Sequence, residues 1–235
     1  MKKLKIFIKG ETINLSKPTL EFAKKSNWYS WLNNKIITKH LDDVPKRQKN
    51  TPAKQVKFFL SERKKRFMLI ISTKSNIYKG IISLSNINRT NNSCELALIT
   101  DTSIEPHLAP YAALEAVAKI TEYAFKNLGI KKITGDGKVV LKLWRQRMEL
   151  LGYKFITITN DNYMYKKKLP PSYISSCHYE DYEKIIKRRG HYWDNLKNMK
   201  RRISKLPKEN FADIYLKFLK KHKKKYYKKI FKILK

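Results

Sequence analysis

The sequence predicts an α/β fold of the α+β kind: a mixed, mostly antiparallel twisted sheet flanked by helices, followed by a basic helical C-terminal extension. Three observations carry this. Strand-like runs follow one another between Phe67 and Thr100, a long helical segment with an apolar stripe comes after them, and Pro170-Pro171 separates this pattern from a lysine-rich tail. The double proline sets the expected boundary between a domain of residues 1–168 and an extension of residues 169–235.

At the N-terminus, Lys5–Lys9 and Thr12–Leu15 read as two short strand segments around a turn at Gly10-Glu11. Leu20–Leu32 reads as one helix with Phe22, Trp28, Trp31 and Leu32 on or near one face, broken by Asn33-Asn34. Residues 35–50 are polar and irregular. Thr51 caps a second helix, with Pro52 entering it and Val56, Phe59 and Leu60 forming its buried stripe. Phe67–Ser72, Tyr78–Asn86 and Cys94–Thr100 form a meander, with the polar run Asn88–Ser93 as a hairpin loop. The helix Tyr111–Leu128 buries Leu114, Val117, Ala118, Ile120, Ala124, Phe125 and Leu128 and stops at Asn127 and Gly129. Ile130–Thr134 is a strand, Val139–Leu151 a helix stopped by Gly152, and Tyr153–Thr159 with Tyr163–Lys167 a closing strand pair. In the extension, Phe211–Leu234 repeats apolar residues at helical spacing with lysine on the other face.

Composition narrows the classes. With 42% hydrophobic residues, the chain has the material for a sizeable core and is not disordered throughout. Cys94 and Cys177 are the two cysteines, far apart in sequence and without metal-ligand spacing, so neither a disulfide framework nor a metal is expected. The start alternates lysine with short apolar runs, unlike a signal peptide, and no stretch approaches a membrane span, so the expected location is the cytoplasm. The net charge of +34 has two readings. One is a polyanionic partner. The other is compositional drift, because lysine is spread along the whole chain and far outnumbers arginine, whose fork suits phosphates and base edges.

The order strand, strand, strand, loop, long helix, strand, helix, Leu151-Gly152-Tyr153 carries a resemblance across about residues 4–167. KGETINLSKPTLEFAKKSNWYSWLNNKIITKHL, YKGIISLSNINRTNNSCELALI and EAVAKITEYAFKNLGIKKI resemble, in order and spacing, the GCN5-related N-acetyltransferases, in particular the branch acting on ribosomal-protein N-termini and amino sugars. The resemblance implies a fold of that family and an acyl-CoA-dependent N-acyltransferase. Such an enzyme takes acetyl-CoA as co-substrate and a small-molecule or peptide amine as acceptor. An amino sugar of a surface polysaccharide or a protein N-terminus is the expected acceptor. The alternative is a degenerate acyltransferase fold serving as a basic module that binds nucleic acid or a membrane surface.

Site residues follow from the same resemblance. The backbone of Leu98, Ile99 and Thr100 is expected to pair with pantetheine, and the turn Ala109, Pro110, Tyr111, Ala112 and Ala113 to hold the pyrophosphate at a helix N-terminus. Departures fall in this turn. Leu108 stands where the family has a basic residue and Tyr111 where it has its first glycine, Pro110 lacks an N–H, and only Ala113 agrees. Leu141, Trp144 and Met148 replace the family's Asn, its Ser or Ala, and its Tyr acid. Glu95 is the candidate general base, on a strand read as half-buried; a surface carboxylate pairing with lysine is the alternative. Trp31 and Asn33 are candidate acceptor-cleft residues, with core packing and helix capping as their alternatives. Glu115 reads as a helix-N-terminal carboxylate and Lys119 as a solvated helix face. The extension is expected either to contact an anionic membrane or polyanion or to pack its stripe onto the domain.

Overall fold

In the structure, a computed structural model, residues 3–38, 49–159, 163–164, 167–168 and 171–233 are described. Most of the stretch read as irregular, residues 39–48, and Pro170 of the boundary lie outside them. Two strands, β1 (Ile6–Lys9) and β2 (Ile13–Ser16), form the N-terminal hairpin. The segment read as one helix is two, α1 (Leu20–Lys25) and α2 (Trp28–Trp31), because Ser26 turns extended and its Oγ accepts the Trp28 amide at 3.3 Å. A short α3 (Lys35–Thr38) follows, then α4 (Pro52–Glu62), which Thr51 caps through the Lys54 amide. The meander is β3 (Phe67–Thr73), β4 (Tyr78–Asn88) and β5 (Ser93–Thr100). Beyond it lie α5 (Ala109–Asn127), β6 (Lys132–Lys138), α6 (Lys142–Glu149) and β7 (Lys154–Thr159).

The closing pair differs from expectation. Among the described residues, Tyr163–Met164 (β8) and Lys167–Lys168 (β9) pair with each other and with no other strand. The partner of β7 is β10 (Ser172–His178), which lies beyond the double proline in the segment assigned to the helical extension. It inserts between β6 and β7 and pairs antiparallel with both. Its buried residues include Ser172, Ser175 and Ser176, which give no apolar periodicity to read. Long-range pairing on both edges makes it a strand. The chain then continues as α7 (Tyr179–Arg189), α8 (Leu196–Ser204) and α9 (Phe211–Ile233).

The sheet order is β1-β2-β3-β4-β5-β6-β10-β7, antiparallel throughout except for β5 against β6. Successive residues of β3 face opposite layers: Leu69 and Ile71 join the α5 core, while Met68 and Ile70 pack with Phe22, Trp28, Trp31 and Phe59 beneath α1, α2 and α4. Such two-sided burial explains the unbroken apolar run of this strand.

Every residue of α5 from Ala112 to Ala118 is buried, so this helix is covered on both sides. The sheet covers one side and the extension the other. Tyr182 of α7 packs on Phe125 with ring centroids 5.4 Å apart, Met199 of α8 is fully buried in the same core, and Lys200 lies over the Tyr111 ring. Glu11 clamps this layer, accepting the Trp193 indole N–H and the Leu196 amide. Only the first turns of α9 pack, around Phe155, Tyr173 and Ala212; Phe218, Tyr226, Tyr227 and Phe231 remain exposed.

Candidate functional site

A gap opens where the two parallel strands part. β5 and β6 pair from Ser93 opposite Lys132 to Leu96 opposite Gly135, and no further. Beyond that point β5 stays hydrogen-bonded to β4 as far as Thr100 opposite Gly80, and β6 stays with β10 as far as Lys138 opposite Ser172. Each strand is therefore held from its outer side. The inner edges of Ala97–Thr100 and of Asp136 and Gly137 face a wedge that no strand among the described residues fills. Gly80 makes the outer grip on β5 this close: a Cβ there would lie 2.2 Å from the Ile99 carbonyl oxygen. Unpaired strand backbone is a template for an extended ligand carrying its own amides. Leu98, Ile99 and Thr100 stand on one bank, half-exposed; on the other, Gly137 carries no side chain, and a Cβ there would meet nothing within 4 Å.

The turn entering α5 departs from the expected cradle. Leu108 and Ala109 both donate their amides to the Glu105 carbonyl at 2.9 Å, while Tyr111 and Ala112 donate to the Leu108 carbonyl at 2.9 and 2.8 Å. Pro110 has no N–H to give. The segment is already wound back to Glu105, so the amides of residues 108–112 are spent internally and do not form a pyrophosphate nest. Ala109, Ala112 and Ala113 are buried besides. Lys79, 1% exposed on β4, fixes this loop by donating its Nζ to the Ile104 carbonyl at 2.9 Å. Burial lowers its pKa, opposed by Glu105 and Asp101.

The other singled-out residues sort themselves by contact. Glu95 is exposed rather than half-buried, at the last paired stretch of β5, and accepts the Asn86 Nδ2–H at 2.8 Å instead of a lysine. Trp31 is buried in the α1–α4 core, so it packs rather than lining a cleft. Asn33 spends its amide on the backbone of Asn50, donating at 2.9 Å and accepting at 2.7 Å, which ties α2 to the start of α4. Met148 is buried in the main core where the resemblance places a tyrosine acid, and it has no proton to donate. Glu115 is fully buried and accepts the Glu11 amide together with the Thr12 amide and hydroxyl, the latter two at 2.7 and 2.5 Å. It latches the β1–β2 turn to α5.

Arg145, like Lys79, escaped the sequence reading. Arg145, 3% exposed on α6, lies with its Cζ 4.7 Å from the Tyr173 ring centroid. Its Nη2 donates to the Val139 carbonyl at 2.6 Å. Among the described residues its Nε and Nη1 have no partner, and neither has the Tyr173 hydroxyl. Burial lowers the Arg145 pKa, opposed by Tyr173, Asp213 and Glu149. The available signal was its place at helical spacing from Leu141 and Met148, an arginine on an inward stripe.

No family model and no curated protein matches the chain. Solved structures do. A GCN5-related N-acetyltransferase from Brucella melitensis superposes with a TM-score of 0.62 at 18% identity, over 84% of this chain and 88% of that one. Spermidine N-acetyltransferase from Vibrio cholerae, in complex with CoA and spermine, gives 0.63 at 12% identity over 73% and 98%. The ribosomal-protein-S5-alanine acetyltransferase from Vibrio fischeri gives 0.61 at 15% identity over 74% and 97%. At these identities the likeness is one of fold: the chain has the GCN5-related N-acetyltransferase fold.

Proposed function

We propose that the chain is an acyl-CoA-dependent N-acyltransferase that moves an acetyl group from acetyl-CoA to a primary amine. The observation that carries this reading is the wedge between β5 and β6, with strand backbone open on both banks. Pantetheine is an extended chain with two amides, which suits the backbone of Leu98–Thr100. The amine nitrogen attacks the thioester carbonyl, the C–S bond breaks, and the coenzyme leaves as a thiolate. Glu95, open to solvent, takes the amine proton through water. A thiol titrates near pH 8.5, so the departing sulfur needs little help from an acid, and Met148 is tolerable.

The acceptor is an amine on an otherwise uncharged body, an amino sugar of a surface polysaccharide or a protein N-terminus. A net charge of +34 repels a polycation, which argues against polyamines such as the one held by the Vibrio cholerae protein. Calorimetry with acetyl-CoA, followed by acetylation assays on an amino sugar, an N-terminal peptide and spermidine, tests this. The expected result is coenzyme binding and turnover of one of the first two; no heat and no stabilisation at millimolar coenzyme removes the reading.

The closed turn at residues 108–112 and the exposed part of α9 favour a second reading, a basic surface-binding module. From Lys217 to Lys232 the helix carries nine lysines and no acid, with Phe218, Tyr226, Tyr227 and Phe231 exposed beside them. Lysines flanking exposed aromatics suit an anionic lipid surface. Sedimentation with phosphatidylserine vesicles distinguishes this: binding should persist near physiological salt, and loss there leaves only nonspecific attraction.

A further inference from the structure

The sheet face turned away from α5 is open where β5 and β6 part. On β5, Cys94 and Leu96 are buried in the α5 core, while Glu95 and Ala97, which alternate with them, are exposed. On β6, Ile133 joins the same core, and Asp136, of the opposite parity, is exposed on the other face. These strands are fifth and sixth in a sheet of eight, so their exposure is not that of a sheet edge. Glu95 stands opposite Thr134; Asp136 lies two residues further along that face, at the first position past the last β5–β6 pair. The spacing and rise of neighbouring strands put the two carboxylates' Cβ atoms about 8 Å apart, one on each bank of the wedge. Lys138, next along this face, is buried, so the charge that β6 presents to solvent here is the carboxylate. Glu95 accepts a hydrogen bond from Asn86, whereas Asp136 has neither hydrogen bond nor ion pair among the described residues. That is unusual in a chain of 53 basic residues against 19 acidic ones, where a lysine partner is easily found. An acceptor amine, by contrast, arrives largely as an ammonium when its pKa lies near or above 8, and a net charge of +34 repels it. A carboxylate at the mouth of the wedge reverses that field where the amine has to enter.

We propose that Asp136 is the acceptor-binding residue of this site, its carboxylate pairing with the ammonium of the incoming amine. Glu95, on the facing bank, takes the proton through water, and the neutral nitrogen attacks the thioester as described above. Two carboxylates then divide the work: one holds the acceptor and the other deprotonates it. The proposal rests on the acyltransferase reading, but it is separable from it by experiment.

The test is steady-state kinetics of the full chain with acetyl-CoA and two amine probes, glucosamine and a short peptide with a free N-terminus. The native chain is compared with Asp136→Asn and Asp136→Glu, and CoA binding is followed by calorimetry. In Asp136→Asn the KM for the accepted amine should rise roughly fivefold or more, while kcat and the KM for acetyl-CoA stay within about twofold. Asp136→Glu, which keeps the charge, should fall between the native chain and Asp136→Asn. An unchanged amine KM in Asp136→Asn overturns the proposal. So does an equal loss toward amine and acetyl-CoA, which makes Asp136 a residue that only shapes its strand. A native chain that binds CoA but acetylates neither probe overturns the assignment of Asp136 and leaves the coenzyme site standing. One that does not bind CoA sinks both readings.

Discussion

Glu115 illustrates how a single buried carboxylate organises the N-terminal end of the fold. Three donors from the β1–β2 turn converge on it, and Gly10 passes so close that an added Cβ would lie 2.6 Å from its Oε1 and 2.7 Å from the Ile13 carbonyl oxygen. Glu115→Ala strands those donors, and a loss of about 2–4 kcal/mol is expected in urea unfolding. Gly10→Ala should cost about 1–3 kcal/mol by overpacking the same spot. The cysteines give a second prediction. Burial, helped by the Glu95 charge, pushes the Cys94 thiol up to about 12, and burial does the same for Cys177 against its contact with the Tyr192 hydroxyl. Both sit beside Ile133, one on each flanking strand, so they are about 10 Å apart and beyond disulfide reach. Thiol reagents attack thiolates, so neither should label in the native chain at neutral pH, and both should label in urea. At this scale the sequence singled out Glu115 as a helix-N-terminal carboxylate and Glu95 as a half-buried strand carboxylate, but neither the burial of the first, the exposure of the second nor the partners of either was legible. Asn86 and the β1–β2 turn reach them only through the folded sheet.

Among the elements, α8 is the one whose attachment can be tested cleanly. Arg202 grips both Asp194 oxygens, at 2.7 and 2.6 Å, and Asn195 caps the helix through the Asn198 amide. Burial works against the Asp194 carboxylate, but the Arg202 bonds and nearby backbone amides override it and hold the pKa at about 2, against an ordinary 3.8. A depressed carboxylate stabilises the fold when ionised. Its contribution is complete above about pH 4 and disappears as the pH falls toward 2. Asp194→Asn should remove that component of acid unfolding while leaving the remaining carboxylates' share. Met199→Ala, opening a fully buried site under α8, should cost about 2–5 kcal/mol in thermal or urea unfolding. Helical spacing made α5 legible as an element with one buried stripe, whereas its burial on every side from Ala112 to Ala118 emerged only in the fold. The identity of the cover, α7 and α8, was not legible, because a basic helix with a narrow apolar stripe reads equally well as a surface-binding or a packing helix.

For the whole molecule, the extension is two things at once. Residues through the first turns of α9 supply a strand inside the sheet and roof α5, whereas the remainder of α9 carries lysines and aromatics on an exposed helix. Among the described residues no helix is long and apolar enough to cross a membrane. Truncation before Lys217 should therefore leave thermal stability within about 0.5 kcal/mol, the range for changes on exposed surface, while abolishing vesicle binding. Local pattern was enough to establish the order of most elements and the layered core, because periods of two and 3.6 residues are properties of neighbouring residues. Composition was enough to establish the charge. Folding in three dimensions settled that a serine-rich segment past two prolines is a central strand, that the turn before α5 consumes its own amides, and that Arg145 is left with donors to spare. Each of these depends on which groups meet across long sequence separations, and hydrogen-bond satisfaction in a buried site has no periodic signature.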